Sequence, residues 1–183
     1  MHKDWVSDAF KYAEEHNVLL VHSAGNDGED LDKTIHYPND QNYNGIRGIC
    51  NNFINVGSTN KNFGEKFVSD YSNYGKQNVD LFAPGEDIYT TGSGNIYKTD
   101  SGTSFSVPMV CGTAALIWSY YPNLTAKEVK QIIIDSGTPY DIEVILPGTK
   151  DKKVPFSELS KSGKVLNVYN AMQLAKKVSK KKK

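Results

Sequence analysis

Cysteine is almost absent from this chain: Cys50 and Cys111 are the only two among 183 residues, 61 positions apart. They fit neither a paired-thiol redox motif nor a Cys/His metal spacing, so no disulfide framework or zinc site follows from them. Two free, mostly buried thiols are expected. An excess of one charge is lacking too, because 21 Lys and Arg balance 21 Asp and Glu. That balance removes the global field of a nucleic-acid binder. No apolar run approaches the ~20 residues of a membrane span. The opening residues Met1 to Trp5 hold no apolar signal core. Histidine is scarce, limited to His2, His16, His22 and His36.

What remains is an ordinary globular composition, 38% hydrophobic and 23% charged, sufficient for one domain with a sizeable core. Trp5, Ala9, Tyr12 and Ala13 recur at helical spacing, with Asn17 as a left-handed stop. Val18 to Val21 then reads as a buried parallel strand. Further strands are expected at Phe53 to Gly57 and Val79 to Phe82, with a fourth at Asp87 to Thr91. Thr103 to Tyr120 is the clearest helix. Its apolar residues cover most of the circumference, which predicts burial on nearly every side. Thr125-Ala-Lys-Glu128 is a capping box opening another helix that ends near Ser136 and Gly137. Residues 138–163 read as an irregular excursion, and a last helix is expected at about Val168 to Lys177. Strands alternating with helices predict an α/β fold with a mostly parallel sheet. The crowded lysines over 176–183 are expected to form a frayed, solvated tail.

Two short segments carry chemistry. In Gly102-Thr103-Ser104, a hydroxyl sits at the mouth of a helix whose first free amides offer partial positive charge to a developing oxyanion. Gly102 permits close approach of a substrate, and Pro108 is expected in the first turn or so. Helix-start preference alone explains Thr103 or Ser104 equally well as an N-cap. The second segment, Ser23-Ala24-Gly25-Asn26-Asp27-Gly28, follows the first strand, and by itself is a common turn.

Gly102-Thr103-Ser104 with Pro108 and Gly112 resembles the nucleophile signature of the subtilases, and the Ala24-Gly25-Asn26 strand end is similar to that family's oxyanion segment. Ser106 stands where an α/β-hydrolase elbow would need Gly. Tyr37-Pro38, Tyr71-Ser-Asn-Tyr-Gly75, Asp80-Leu-Phe-Ala-Pro-Gly85 and the stretch Gly163 to Ala171 resemble further landmarks, so the likeness covers nearly the whole chain. It departs in a longer polar stretch between Tyr37 and Phe53, in the 138–163 insertion, and in Ser101 where many relatives carry Asn.

The resemblance implies an incomplete subtilisin-like three-layer fold over 1–175, the C-terminal portion of a peptidase domain. It implies Ser104 as nucleophile, Asn26 as oxyanion donor, and Ser23, Ala24, Gly25, Gly102 and Thr103 as substrate-binding positions. The family's Asp and His precede the Asn strand, and only 25 residues precede Asn26 here, without either motif. The natural N-terminus is therefore expected upstream, supplying the missing N-terminal part of the same catalytic domain. This chain alone is expected to be inactive, and the substrate to be protein or peptide. No cofactor is required for such chemistry. Structural Ca²⁺ is compatible with the family but not indicated, since Asp27, Glu29, Asp30 and Asp32 do not match a calcium loop. Most family members act outside the cytoplasm, favouring an extracellular, periplasmic or cell-envelope compartment. Two other classes stay open: a non-catalytic peptide-binding module on this scaffold, and an anion contact through the lysine tail with steep salt dependence.

Overall fold

The computed structural model describes residues 3–41 and 48–181. His2, residues 42–47 of the polar stretch, Lys182 and Lys183 lie outside the described residues. The chain opens on helix α1 (Lys3–Glu15), which stops where Asn17 takes the left-handed conformation at φ 57°. The helical period is as expected, but its phase is not. Phe10 stacks on Phe53 at 5.2 Å, while Trp5 and Tyr12 are 71% and 63% exposed. The expected stripe thus faces outward.

Strand β1 (Leu20–Ser23) runs parallel to β2 (Phe53–Thr59), pairing Leu20 with Phe53 and Ser23 with Val56. Next comes β3 (Leu81–Pro84), parallel to β2 with Val56 opposite Leu81. β1 is half-buried rather than buried, because it forms one edge of the sheet among the described residues. β2, flanked on both sides, is buried throughout. The expected strand near Asp87 forms as β4 (Ile88–Gly92), but it leaves the main sheet and pairs antiparallel with β5 (Ile96–Asp100).

Helix α2 (Thr103–Tyr120) and helix α3 (Ala126–Ser136) follow. The capping box of α3 is present: Thr125 Oγ1 accepts from the Glu128 amide, and Glu128 Oε2 accepts from the Thr125 amide at 2.8 Å. The 138–163 excursion is more ordered than its sequence suggests. It contains β6 (Thr138–Pro139), a hairpin of β7 (Glu143–Ile145) and β8 (Lys153–Pro155), and a 3₁₀ turn at Phe156–Glu158. β9 (Lys164–Val165) joins β3 in parallel and β6 antiparallel, giving the order β1-β2-β3-β9-β6. Helix α4 (Val168–Lys180) closes the chain. It runs three residues past the expected end, through part of the stretch expected to fray. Val178 packs against the core, and Lys177 and Lys180 sit in the last turn, where cations suit the helix dipole.

The sheet separates two cores by strand alternation. On one face Ile54, Val56, Leu81 and Ala83 meet Val110, Ala114 and Ile117 of α2, with α3 and α4 behind. On the other, Phe82 meets the excursion through Phe156 at 5.5 Å, and Phe156 continues to Phe67 and Tyr140. Such ring pairs contribute about 0.5–1.5 kcal/mol each beyond burial. Gly57 is what lets Phe82 lie flat on β2: a Cβ there would meet its ring at 2.4 Å.

The helix expected to be buried all round is not. α2 buries Ser106, Val110, Thr113, Ala114 and Ile117 against the sheet, whereas Met109, Leu116 and Tyr120 are 38%, 39% and 66% exposed. With Gly112 they form a stripe at i, i+3, i+7 and i+11. Cys111 is exposed as well, contrary to expectation, while Cys50 is buried. Pro108 lies in the second turn, so the amide that would meet the Ser104 carbonyl is absent.

Candidate functional site

In a parallel sheet the loops beyond the carboxyl ends of the strands share one edge, and ligands bind there. β1 runs into Asn26, β2 into Asn60, and β3 into Glu86, after which the β4–β5 hairpin leads to the loop that opens α2. Gly102 is the N-cap of α2, with φ 153°, a conformation suited to glycine. Neither Thr103 nor Ser104 is the cap, so the helix-start explanation of those residues fails. Ser104 is the second helical residue and is exposed.

Gly102 offers no capping side chain, and Asn26 supplies one to Thr103 across 77 residues. Asn26 Oδ1 accepts from the Thr103 amide at 2.9 Å and from Thr103 Oγ1 at 2.8 Å. Thr103 Oγ1 in turn accepts from the Gly25 amide at 3.2 Å. Fixing Oδ1 on the helix mouth turns Nδ2 of the same amide away from Thr103, and Asn26 is exposed. Asn26, found separately in the sequence, is therefore held at the helix mouth by Thr103, the residue next to Ser104.

The turn holding Asn26 is fastened from behind by Asn73. Asn73 Oδ1 accepts from the amides of Asp27 and Glu29 at 3.0 and 2.9 Å, and Nδ2 donates to the Ala24 carbonyl at 3.0 Å. Gly25 has φ 105°, and a Cβ there would lie 2.4 Å from Asn73 Nδ2. Asn73 lies in the Tyr71 to Gly75 landmark, yet nothing in its sequence setting announces this role. From the other side, the Gly102 amide donates to the Gly85 carbonyl at 2.8 Å, and Ser106 Oγ donates to the Ala83 carbonyl at 2.9 Å.

Of the positions expected to bind substrate, Gly102 and Thr103 lie at the helix mouth but are buried, and Ser23 and Gly25 are partly exposed. Ala24 is 2% exposed. It faces a cavity of about 20 Å³ shared with His22, His36 and Gln41.

The described histidines are engaged elsewhere. His16 Nδ1 donates to the Tyr12 carbonyl at 2.8 Å. His22 pairs with Asn55 at 3.3 Å, and burial pushes its pKa below the usual imidazole range. His36 Nε2 lies 2.9 Å from Glu29 Oε2 and Nδ1 lies 3.9 Å from Asp27 Oδ2. The acidic cluster dissolves into structural bonds: Asp30 holds Lys33 at 2.7 Å, and Asp32 accepts from the amides of Gln77 and Asn78.

A family model described as the subtilase family matches residues 2–165. The chain belongs to the subtilase family. The intracellular serine protease of Paenibacillus polymyxa is 39% identical over 139 residues, covering 72% of this chain and 39% of that protein. The major intracellular serine protease of Bacillus subtilis is 34% identical, covering 78% and 43%. Subtilisin-like protease 2 of Plasmodium falciparum is 32% identical over 81% of this chain and 10% of its own length. Among solved structures, the subtilase cytotoxin SubAB matches 98% of this chain and 56% of that chain, with TM-score 0.76 at 23% identity, a likeness of fold. The prenylagaramide maturation protease PagA matches 93% and 55%, with TM-score 0.68 at 28% identity. This subtilase chain thus spans less than half the length of these curated relatives and a little over half of the solved chains.

Proposed function

We propose that this subtilase chain is the nucleophile and oxyanion portion of a serine endopeptidase and hydrolyses peptide bonds only when joined to a segment supplying an Asp and a His. The observation that carries the reading is the capture of Asn26 Oδ1 by Thr103, which sets a side-chain amide beside an exposed Ser at a helix mouth. Ser104 Oγ attacks the peptide carbonyl as the external His accepts its proton, and the Asp orients that His. Negative charge developing on the carbonyl oxygen is met by Asn26 Nδ2 and the free Ser104 amide of the first helical turn. The His returns the proton to the leaving amine, and water then hydrolyses the acyl-enzyme. No cofactor takes part.

Without a base the Ser104 hydroxyl stays a poor nucleophile at neutral pH. Loss of the His costs about 10⁶ in kcat in a subtilisin, and the lone chain is assigned an equally low activity. The partner is the N-terminal part of the same domain, and it covers the stripe of Met109, Leu116 and Tyr120. Family resemblance favours a parent outside the cytoplasm or in the envelope, which cell fractionation checks. The functional test compares casein and peptide-ester hydrolysis by the lone chain and by the chain joined to such a segment. Turnover is expected only in the joined form and is abolished by Ser104→Ala. Hydrolysis by the lone chain that survives Ser104→Ala would sink the reading, and a joined form that binds peptide without turnover would make the chain a non-catalytic module.

A further inference from the structure

A second concavity lies on the carboxyl edge of the sheet, in the loops that follow β2 and β3, one and two strands along from the β1 end that carries Asn26. It encloses about 450 Å³. One wall comes from the 138–163 excursion. That wall is fastened to the loop after β2: the Ile145 amide donates to the Glu65 carbonyl at 2.7 Å, and the Gly148 amide to the Asp70 carbonyl at 2.9 Å. Gly148 also packs against Gly28, just beyond Asn26, so closely that a Cβ on either would overlap the other's backbone. The excursion thereby ties this cavity to the oxyanion loop.

Glu86 lines the cavity and immediately follows Gly85, whose carbonyl holds Gly102. Its Oε2 is buried and has no hydrogen-bond partner among the described residues. A carboxylate oxygen removed from water without a donor is costly, and a cationic donor reverses that cost. Asp70 adds a second carboxylate at the exposed margin of the lining, and Asn60, Asn62 and Thr149 add neutral hydrogen-bonding groups. Lys66 and Lys150 also border the cavity, but both residues are exposed. Long stems let their ammonium groups stay in water.

We infer that this cavity binds a cationic side chain, the ammonium of Lys or the guanidinium of Arg, with Glu86 as its principal acceptor. Placement beside the Gly102 loop makes the source a residue of the polypeptide substrate, and that part rests on the peptidase reading. The preference for a cation does not.

The test titrates the chain with N-acetyl-lysinamide, its neutral counterpart N-acetyl-norleucinamide, n-butylammonium, and a lysine-containing hexapeptide, followed by amide NMR. The lysine compounds are expected to shift Asn60, Asn62 and Thr149. Norleucinamide is expected to bind about tenfold more weakly or not at all, as is lysinamide to Glu86→Gln, the loss of one charge-assisted hydrogen bond. Lys66→Met and Lys150→Met are expected to leave affinity unchanged or raise it, since they remove internal competitors. Equal binding of norleucinamide, or full affinity in both Glu86→Gln and Asp70→Asn, overturns the cation site. Butylammonium binding as tightly as the hexapeptide keeps the cation site and overturns the substrate side chain as its source. Failure of the hydrolysis test in the joined protein leaves these binding results standing, so the two readings fall separately.

Discussion

Asn26 Oδ1 accepts two hydrogen bonds from Thr103, one from its amide and one from its hydroxyl, and this double contact closes the helix mouth onto the end of β1. The hydroxyl is shared, because Thr103 Oγ1 also accepts from the Gly25 amide. Thr103→Val keeps the shape and removes both side-chain bonds. In the joined enzyme kcat is expected to fall about tenfold with KM little changed, since a loosened Asn26 amide matters most when charge develops on the substrate oxygen. Asn26→Ala is expected to cost more, about 10²–10³ in kcat, the magnitude seen when this donor is removed from a subtilisin. A Thr103→Val effect confined to KM would show that Thr103 contacts substrate instead of positioning Asn26.

Gly85 permits the approach of the strand end to the nucleophile loop. A Cβ there would lie 2.2 Å from Ser106 Oγ, 2.6 Å from Ser58 Oγ and 2.8 Å from the Gly102 carbonyl. None of these atoms is the tip of a long side chain, so the backbone must give. Gly85→Ala is expected to destabilise the chain by about 1–3 kcal/mol in urea denaturation, the range of overpacked cores. An unchanged midpoint would mean the loop relaxes at no cost.

How far the sequence was legible follows the range of the interactions involved. The limits of α2 were readable because apolar residues dominate it from Phe105 to Tyr120, and Thr125 with Glu128 announced α3 through a local bond. Which side of a helix is covered was not readable. Trp5 and Tyr12 are apolar at helical spacing yet face outward, because Phe10, not they, meets the ring of Phe53. The excursion gave no periodic signal, since Phe156 and Tyr140 order it through rings distant in sequence. Ser104 and Asn26 were found through resemblance to a family. Asn73, which holds the turn behind Asn26, has no local signature because its partners lie 44 to 49 residues away.

His22 couples stability to pH. Burial lowers its pKa in the folded chain below the ordinary 6.5, outweighing the Asn55 bond that favours the charged form. Below about pH 6.5 the unfolded chain takes up the proton first, so stability falls with pH from there through the lowered folded value. Above 6.5 the effect is absent. The urea midpoint is expected to drop between pH 7 and pH 5, and His22→Gln to flatten that drop. A slope unchanged by the substitution would assign the acid sensitivity to other groups.

Gly112 separates the behaviour of the lone chain from that of the joined protein. It lies inside α2 on the exposed stripe, and a Cβ there would meet nothing within 4 Å. In the lone chain Gly112→Ala therefore removes a helix-weakening glycine without a clash, and a gain of about 0.5–1 kcal/mol is expected. If the N-terminal part of the domain packs closely on this stripe, the added methyl group must disturb it, and joining should weaken as the lone chain gains stability. The neighbouring thiol reports the same event. Cys111 is exposed and should react with a disulfide reagent in the lone chain but be protected in the joined protein. Cys50 is buried, with burial and the nearby Asp40 pushing its thiol up to about 11, so it should stay unreactive in both until the chain unfolds. A Cys111 equally reactive in both forms, with Gly112→Ala stabilising both alike, would show that α2 keeps its apolar stripe in water and that the covering segment docks elsewhere.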